Sequence, residues 1–271
     1  MTIWLALLLG IVQGVCEFLP VSSSGHLLLL QTMFGIEAQE GQLFSVMLHV
    51  ATLIAVCIVY RKRIWNIICH PIQKIFGYLI LATIPTVVFT LIMKKVEPFA
   101  TFFSSAEGGS FLGAGFLLTG AMLLLSDYLL QRSRQRKLGS MRTRDALVIG
   151  GMQCLGVFPG VSRSGSTITG ALISGLDRRG AADFSFLMSI PAILGATVLE
   201  AYDTVKAGIT LSGSDILYII VGMIAAGVTG YFAIRFMLRL ITKKRLWGFA
   251  IYVGVLGLAV IAFQLFGVLG F

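Results

Sequence analysis

Residues Phe18 to Gly25 read FLPVSSSG, and Phe158 to Gly165, 140 residues later, read FPGVSRSG. The same polar octapeptide, broken by Pro and Gly, thus occurs twice in a chain that is otherwise mostly hydrocarbon. At this offset and without a gap, the match runs from Gly10/Gly150 through Gln13/Gln153, Phe18/Phe158, Val21/Val161, Ser22/Ser162, Ser24/Ser164, Gly25/Gly165 and Gly35/Gly175 to Phe44/Phe184 and Ser45/Ser185, ten identities in 36 residues. A membrane protein with two interrupted segments in corresponding halves builds its site where the breaks meet.

The rest of the chain supports a membrane setting. Of 271 residues, 57% are hydrophobic and only 12% charged, with a mean hydropathy of +0.92. A soluble domain carries about 25% charged residues, so this chain cannot cover itself with polar surface and the bilayer must be its solvent. The net charge of +9 is gathered in short loops between apolar runs. That clustering points to a membrane surface and argues against a nucleic-acid partner. Cys16, Cys57, Cys69 and Cys154 are scattered, with no CxxC and no Cys/His ligand spacing, so neither a disulfide framework nor a zinc site is expected. The N-terminus has no basic region before its apolar run and reads as mature protein, not a signal peptide.

A spanning helix needs about 20 apolar residues. Six runs qualify, near 43–60, 76–93, 110–130, 184–202, 214–238 and 247–268. The stretches 2–12 and 26–34 are too short and flank the first octapeptide; 146–158 and 167–176 flank the second in the same way. Both are expected to form re-entrant helical hairpins, because unwound backbone at membrane depth is tolerated only where protein or a wet cavity surrounds it. Arg61, Lys62 and Arg63, the cluster from Arg132 through Arg134, Arg136, Lys137 and Arg142 to Arg144, and Lys243, Lys244 and Arg245 then fall on one side, expected to be the cytoplasm. Lys94 and Lys95 fall on the other.

Each half, about 1–130 and 146–271, is one hairpin plus three spans. Three is odd, so the second half must enter from the opposite face. The expected fold is a single all-α membrane domain over 1–271, an inverted repeat whose hairpins dip from opposite sides and meet near the midplane. Gly222-x-x-x-Ala226 and Gly227-x-x-Gly230 permit close helix packing, within the chain or in a homodimer.

The first hairpin carries Gln13, Glu17, Ser22, Ser23, Ser24 and His26. Gln13 and Glu17 are four apart and share a helix face; Pro20 and Gly25 then break the helix. Glu17 is the only acidic residue among the first 36. An ionisable group inside the membrane costs roughly 2.5 to 3.5 kcal/mol on insertion scales, so it marks a site. The second hairpin has Arg163 where the first has Ser23, with Ser162, Ser164, Gly165, Ser166 and Thr167 around it. A guanidinium binds phosphate oxygens bidentately, and free N–H groups at a helix start add anion affinity. A snorkelling interfacial arginine would need no such loop. His26 can serve as acid, base or nucleophile. His49, inside LFSVMLHVATLIAV, has two readings, facing the site or hydrogen bonding between helices; His70 lies in a loop.

QGVCEFLPVSSSGH and FPGVSRSGSTITG resemble the two signature motifs of the bacterial undecaprenyl-diphosphatase family, the bacitracin-resistance type. The resemblance covers essentially the whole chain. It implies hydrolysis of undecaprenyl diphosphate to undecaprenyl phosphate and phosphate, recycling the lipid carrier of peptidoglycan. It also implies a bacterial inner-membrane location, an outward-opening active site and a divalent cation, Mg²⁺ or Ca²⁺. Carried over by position, the carboxylate is Glu17, the hydroxyl pair Ser22 and Ser23, the histidine His26, and the second motif's pair Ser162 and Arg163. The family's first motif position is Glu or Gln and here is Gln13, which cannot be a general base, so Glu17 must be the indispensable carboxylate.

The expected mechanism has Arg163 and nearby N–H groups clamping the diphosphate, with Ser22, Ser24, Ser162, Ser164 and Gly165 as further substrate contacts. Glu17 and Gln13 would hold the cation through oxygen. Ser23 activated by His26 attacks phosphorus, or His26 or Glu17 activates water; the sequence leaves both open. A transporter or flippase of undecaprenyl phosphate or another anion is the main competing reading, because broken helices in repeats are above all a transporter architecture. A scaffold or bacitracin-binding module without turnover is the third.

Overall fold

The computed structural model describes residues 1–36, 38–130, 135–206, 213–243 and 246–268. Arg132, Arg134, Lys244 and Arg245, part of the basic clusters above, lie outside the described residues. The fold is all-α: among the described residues no β-strand occurs, only an isolated Arg136–Leu176 bridge.

The first hairpin is α1 (Ile3–Phe18) and α2 (Ser23–Met33). It is followed by α3 (Ala38–Cys69), α4 (Lys74–Lys95), α5 (Phe99–Glu107) and α6 (Leu112–Leu130). The second hairpin is α7 (Thr143–Leu155) and α8 (Arg163–Ile173), followed by α9 (Arg178–Lys206), α10 (Gly213–Lys243) and α11 (Trp247–Leu265). Among the described residues five helices are long and apolar enough to cross a membrane, and a sixth span follows if α5 and α6 count as one. That pair was not expected: the run near 110–130 is α6, and α5 precedes it at an 88° bend. The turn between them passes through Gly109 at φ 101. Sequence hydropathy hides α5 because FATFFSSAE is only nine residues long and four of them are polar. Lys94 ends α4 beside Glu107 of α5, 3.7 Å from its carboxylate, which accounts locally for a cation on that side.

Four of the ten repeated pairs have matching structural jobs. Ser22 caps α2 by accepting the Gly25 N–H at 3.3 Å, and Ser162 caps α8 by accepting the Gly165 N–H at 3.0 Å. Gly35 (φ 64) and Gly175 (φ 83) follow the last turns of α2 and α8 in the left-handed conformation that ends a helix cleanly. Gly10 lets α1 lie against α10: a Cβ there would sit 2.4 Å from the Gly222 carbonyl oxygen. Gly150 does the same for α7 against α4, with 2.3 Å to the Ala82 oxygen. Phe44 and Phe184 are both fully buried in core clusters.

The hairpin tips touch. A Cβ on Gly25 would lie 2.9 Å from the Gly160 backbone, and Ser164 Oγ donates to the Leu19 carbonyl at 3.1 Å. Phe158 is gripped by Phe89, Phe102 and Phe103, so α5 buttresses the second tip.

Candidate active site

Glu17 sits on the last turn of α1, its side chain only 2% exposed. A buried carboxylate is tolerable only if paired and hydrogen-bonded. Here the partners come from both hairpins. Arg163, the first residue of α8, pairs with Oε1. Gln13 Nε2 donates to Oε2 at 2.9 Å from one turn earlier, as the shared face requires. Ser23 Oγ donates to the same oxygen at 2.5 Å. The structure therefore brings together Gln13, Glu17, Ser23 and Arg163, and adds His49 of α3, whose Nε2 is 3.6 Å from Oε2. Of the two readings of His49, the one facing the site holds.

His26 stands apart from this cluster. Its Nδ1 is 2.7 Å from the Ser22 carbonyl, which can only accept, so Nδ1 carries the proton. Its Nε2 then accepts from the Tyr252 hydroxyl at 2.7 Å. Both nitrogens are engaged, and the ring stacks on Tyr252 and meets Phe116 edge-on. His26 as placed ties α2 to α11, and no hydrogen bond joins it to Ser23.

The remaining hydroxyls mainly shape backbone. Ser22 and Ser162 hold the two helix caps, Ser24 lies 3.4 Å from Ser22 Oγ on the exposed side, and Ser164 reaches the first tip. Gly165 packs against Ser162 and Pro20. Ser22 is the one described non-glycine residue at positive φ, 68°. Such strain persists only where surrounding structure over-determines it, and it collects at functional sites.

Two positions escaped the sequence reading. Thr119 of α6, fully buried, accepts the Ser162 N–H at 2.9 Å and lies 3.0 Å from the Gly160 carbonyl, pinning the second tip. Tyr252 holds His26. The signal was present in both cases: a lone hydroxyl inside an apolar run needs a partner at membrane depth.

The donor chemistry suits a hard divalent cation. A carboxylate only accepts, so Gln13 turns its NH₂ to Glu17, which leaves Gln13 Oε1 buried without a partner. Amide O and N exchange places on a half-turn. Glu17 Oε2, the Gln13 amide oxygen and Ser23 Oγ are thus clustered oxygen donors of the kind Mg²⁺ and Ca²⁺ take. No group of three His, Cys, Asp or Glu side chains is gathered for a metal among the described residues, so this would be a sparse site that leaves places for substrate oxygens.

Residues 6–259 match the family model described as Bacitracin resistance protein BacA. The chain is 44% identical over 262 residues to the undecaprenyl-diphosphatase of Carboxydothermus hydrogenoformans, covering 97% of each. It is 40% identical to undecaprenyl-diphosphatase 4 of Bacillus thuringiensis subsp. konkukian, over 96% of this chain and 97% of that one. It is 38% identical to the undecaprenyl-diphosphatase of Alkaliphilus metalliredigens, over 98% of this chain and the whole of the other.

Proposed function

The chain belongs to the bacitracin resistance protein BacA family, and from that membership we infer that it is an undecaprenyl-diphosphatase. It hydrolyses undecaprenyl diphosphate, a membrane lipid, to undecaprenyl phosphate and inorganic phosphate, which fits a multi-pass membrane protein. The phosphatase reading is favoured over the transporter, since full-length relatives are named for the hydrolysis.

The observation that carries the site assignment is the contact of Arg163 with Glu17, which joins the two hairpin motifs at one buried carboxylate. Without substrate the guanidinium faces Glu17. An incoming diphosphate competes for it, bidentately and with more charge. Glu17 then remains beside Ser23, close enough to take its proton. Ser23 Oγ attacks the terminal phosphorus in line, the P–O bond to the bridging oxygen breaks, and undecaprenyl phosphate leaves. Glu17 yields that proton to the departing undecaprenyl phosphate; water, its proton passed to Glu17 and on to the Ser23 Oγ that leaves, then cleaves the phosphoserine to phosphate. His26 has no direct part in this route; it and Tyr252 hold α2, and with it Ser23, in place. A divalent cation held by Glu17, Gln13 and Ser23 would neutralise phosphoryl charge.

An apolar cavity of about 510 Å³, lined by Val15, Cys16, Leu19, Val21, Phe249 and Tyr252 among others, flanks the first motif and suits the prenyl tail. Ser22 and Ser162 set the starts of α2 and α8, and with Ser24, Ser164 and Gly165 they shape the two tips against which we place the phosphates. The matching caps and helix-end glycines support an inverted repeat forming one domain. The clustered arginines at the end of α3 support a cytoplasmic side there, in the bacterial inner membrane with the site opening outward. The small-residue stripe of α10 is compatible with a homodimer.

The test is phosphate release from undecaprenyl diphosphate by purified protein in detergent, with and without EDTA, for wild type, Glu17→Gln and Arg163→Ala. Release that needs the cation and is lost in both folded variants is expected. No release from a folded, cation-supplied wild type would sink the enzyme reading. Acid quench during turnover is expected to trap phosphate on Ser23; a Ser23→Ala variant with near-normal turnover would exclude Ser23 as nucleophile.

A further inference from the structure

The chain has three histidines. His26 has both nitrogens engaged, and His70 is exposed, with Nδ1 3.2 Å from the Asn66 carbonyl. His49 differs from both. Its Nδ1 is 2.7 Å from the Ser45 carbonyl, so Nδ1 is the protonated nitrogen and the ring is fixed by its own helix. This leaves Nε2 facing Glu17 Oε2 at 3.6 Å, beyond hydrogen-bond reach. In the neutral ring two electron-rich atoms therefore face each other across a gap, inside a protein where most other polar atoms are closely paired.

The gap has the dimensions of a shared ligand. Donors about 2.0 to 2.2 Å from one cation at a tetrahedral angle lie about 3.4 Å apart. A metal-binding histidine characteristically donates its other N–H to a backbone carbonyl or carboxylate, which fixes tautomer and ring direction; His49 does this through Ser45. Gln13 contributes a neutral amide, so Glu17 is the one carboxylate of this cluster and His49 a further neutral donor beside it.

We propose that His49 Nε2 is a ligand of the divalent cation held at Glu17, making this a mixed nitrogen–oxygen site. The inference rests on the cation reading given above and deepens it. Calcium prefers an all-oxygen shell, whereas imidazole suits later first-row cations such as Fe²⁺ and Zn²⁺, with Mn²⁺ serving as a paramagnetic probe of the same site. The chain's preference is accordingly for that class over Ca²⁺.

The test uses Mn²⁺ as probe on tag-free full-length protein in detergent, read by pulsed electron paramagnetic resonance and by a binding titration. Wild type is expected to show imidazole-nitrogen coupling to bound Mn²⁺. His49→Gln, with unchanged helicity and elution profile, is expected to lose that coupling and bind Mn²⁺ at least about tenfold more weakly, the scale on which even outer-shell changes act. A His49→Leu variant checks that Gln does not substitute as an oxygen ligand. Mn²⁺ bound at a site removed by Glu17→Gln, but without nitrogen coupling, would overturn this inference and leave the cation reading standing; a proton would then occupy the gap. No Mn²⁺ bound by folded wild type would overturn both.

Discussion

In the first hairpin Ser22 caps α2 at φ 68, just after Pro20; in the second, Ser162 caps α8 at φ −73 and the positive φ falls at Gly160 instead. The turns differ, yet each cap accepts the N–H three residues on, and each following helix ends at a left-handed glycine. Most of the chemistry lies at positions where the two halves disagree: Glu17 corresponds to Val157, Ser23 to Arg163 and His49 to Ser189, whereas Gln13 is matched by Gln153. Shared residues build the frame, while unshared ones place the anion and nucleophile on one side and the cation on the other. A repeat of this kind supplies two equivalent broken helices, and one site arises where they meet because each is free to keep a different half of the machinery.

The sharpest way to break that division is a double-mutant cycle across it. Glu17→Gln and Arg163→Ala are each expected to lower turnover by about 10² to 10³, the cost of removing one preorganised charge from a transition state. The double variant should lose little more than the worse single, because residues acting as a unit are not additive. Fully additive losses in phosphate release would show two independent sites instead of one divided site.

The turns come next. Gly160→Ala meets both a left-handed φ of 85° and the Leu112 carbonyl 2.4 Å from its new Cβ, so a loss of about 3 kcal/mol is expected from strain and overpacking together. Thermal unfolding in detergent reads this. Thr119→Val keeps the shape but removes the group bonded to Ser162 N–H and Gly160 C=O, leaving buried backbone unpaired; about 1 to 3 kcal/mol is expected. An unchanged midpoint in this variant would mean that α6 does not pin the second tip.

The smallest effect has opposite signs in the two hairpins. Glycine at an N-cap costs a few tenths of a kcal/mol relative to serine. At Ser162 nothing offsets that, so Ser162→Gly should be slightly destabilising. At Ser22 glycine also relieves a positive φ that costs a serine roughly 1 kcal/mol, so Ser22→Gly should raise the midpoint. Equal shifts of one sign would show that the two caps are energetically alike.

Much of this was legible in the chain. The repeat exposed both hairpins and the meeting of Glu17 with Arg163, because a broken helix and an intramembrane charge leave composition signals. The six apolar runs were legible from length alone. What could not be read depended on direction of approach: α5 is too short and mixed for hydropathy, and His26 and His49 differ only in which neighbour each nitrogen meets. Of the routes the sequence left open, Ser23 activated by His26 finds no hydrogen bond in this geometry, where Ser23 bonds Glu17 and the His26 ring is turned toward Tyr252.

The partners of the Glu17–Arg163 contact are 146 residues apart in the chain. At a synthesis rate of about 5 to 20 residues per second, Glu17 is made roughly 7 to 30 s before its guanidinium exists. During that interval the first hairpin carries an acid with only Gln13, Ser23 and His49 beside it, and a carboxylate so placed must stay hydrated or protonated. Completion of the site therefore waits on the second hairpin, and a nascent chain stopped before Arg163 holds Glu17 without its guanidinium partner.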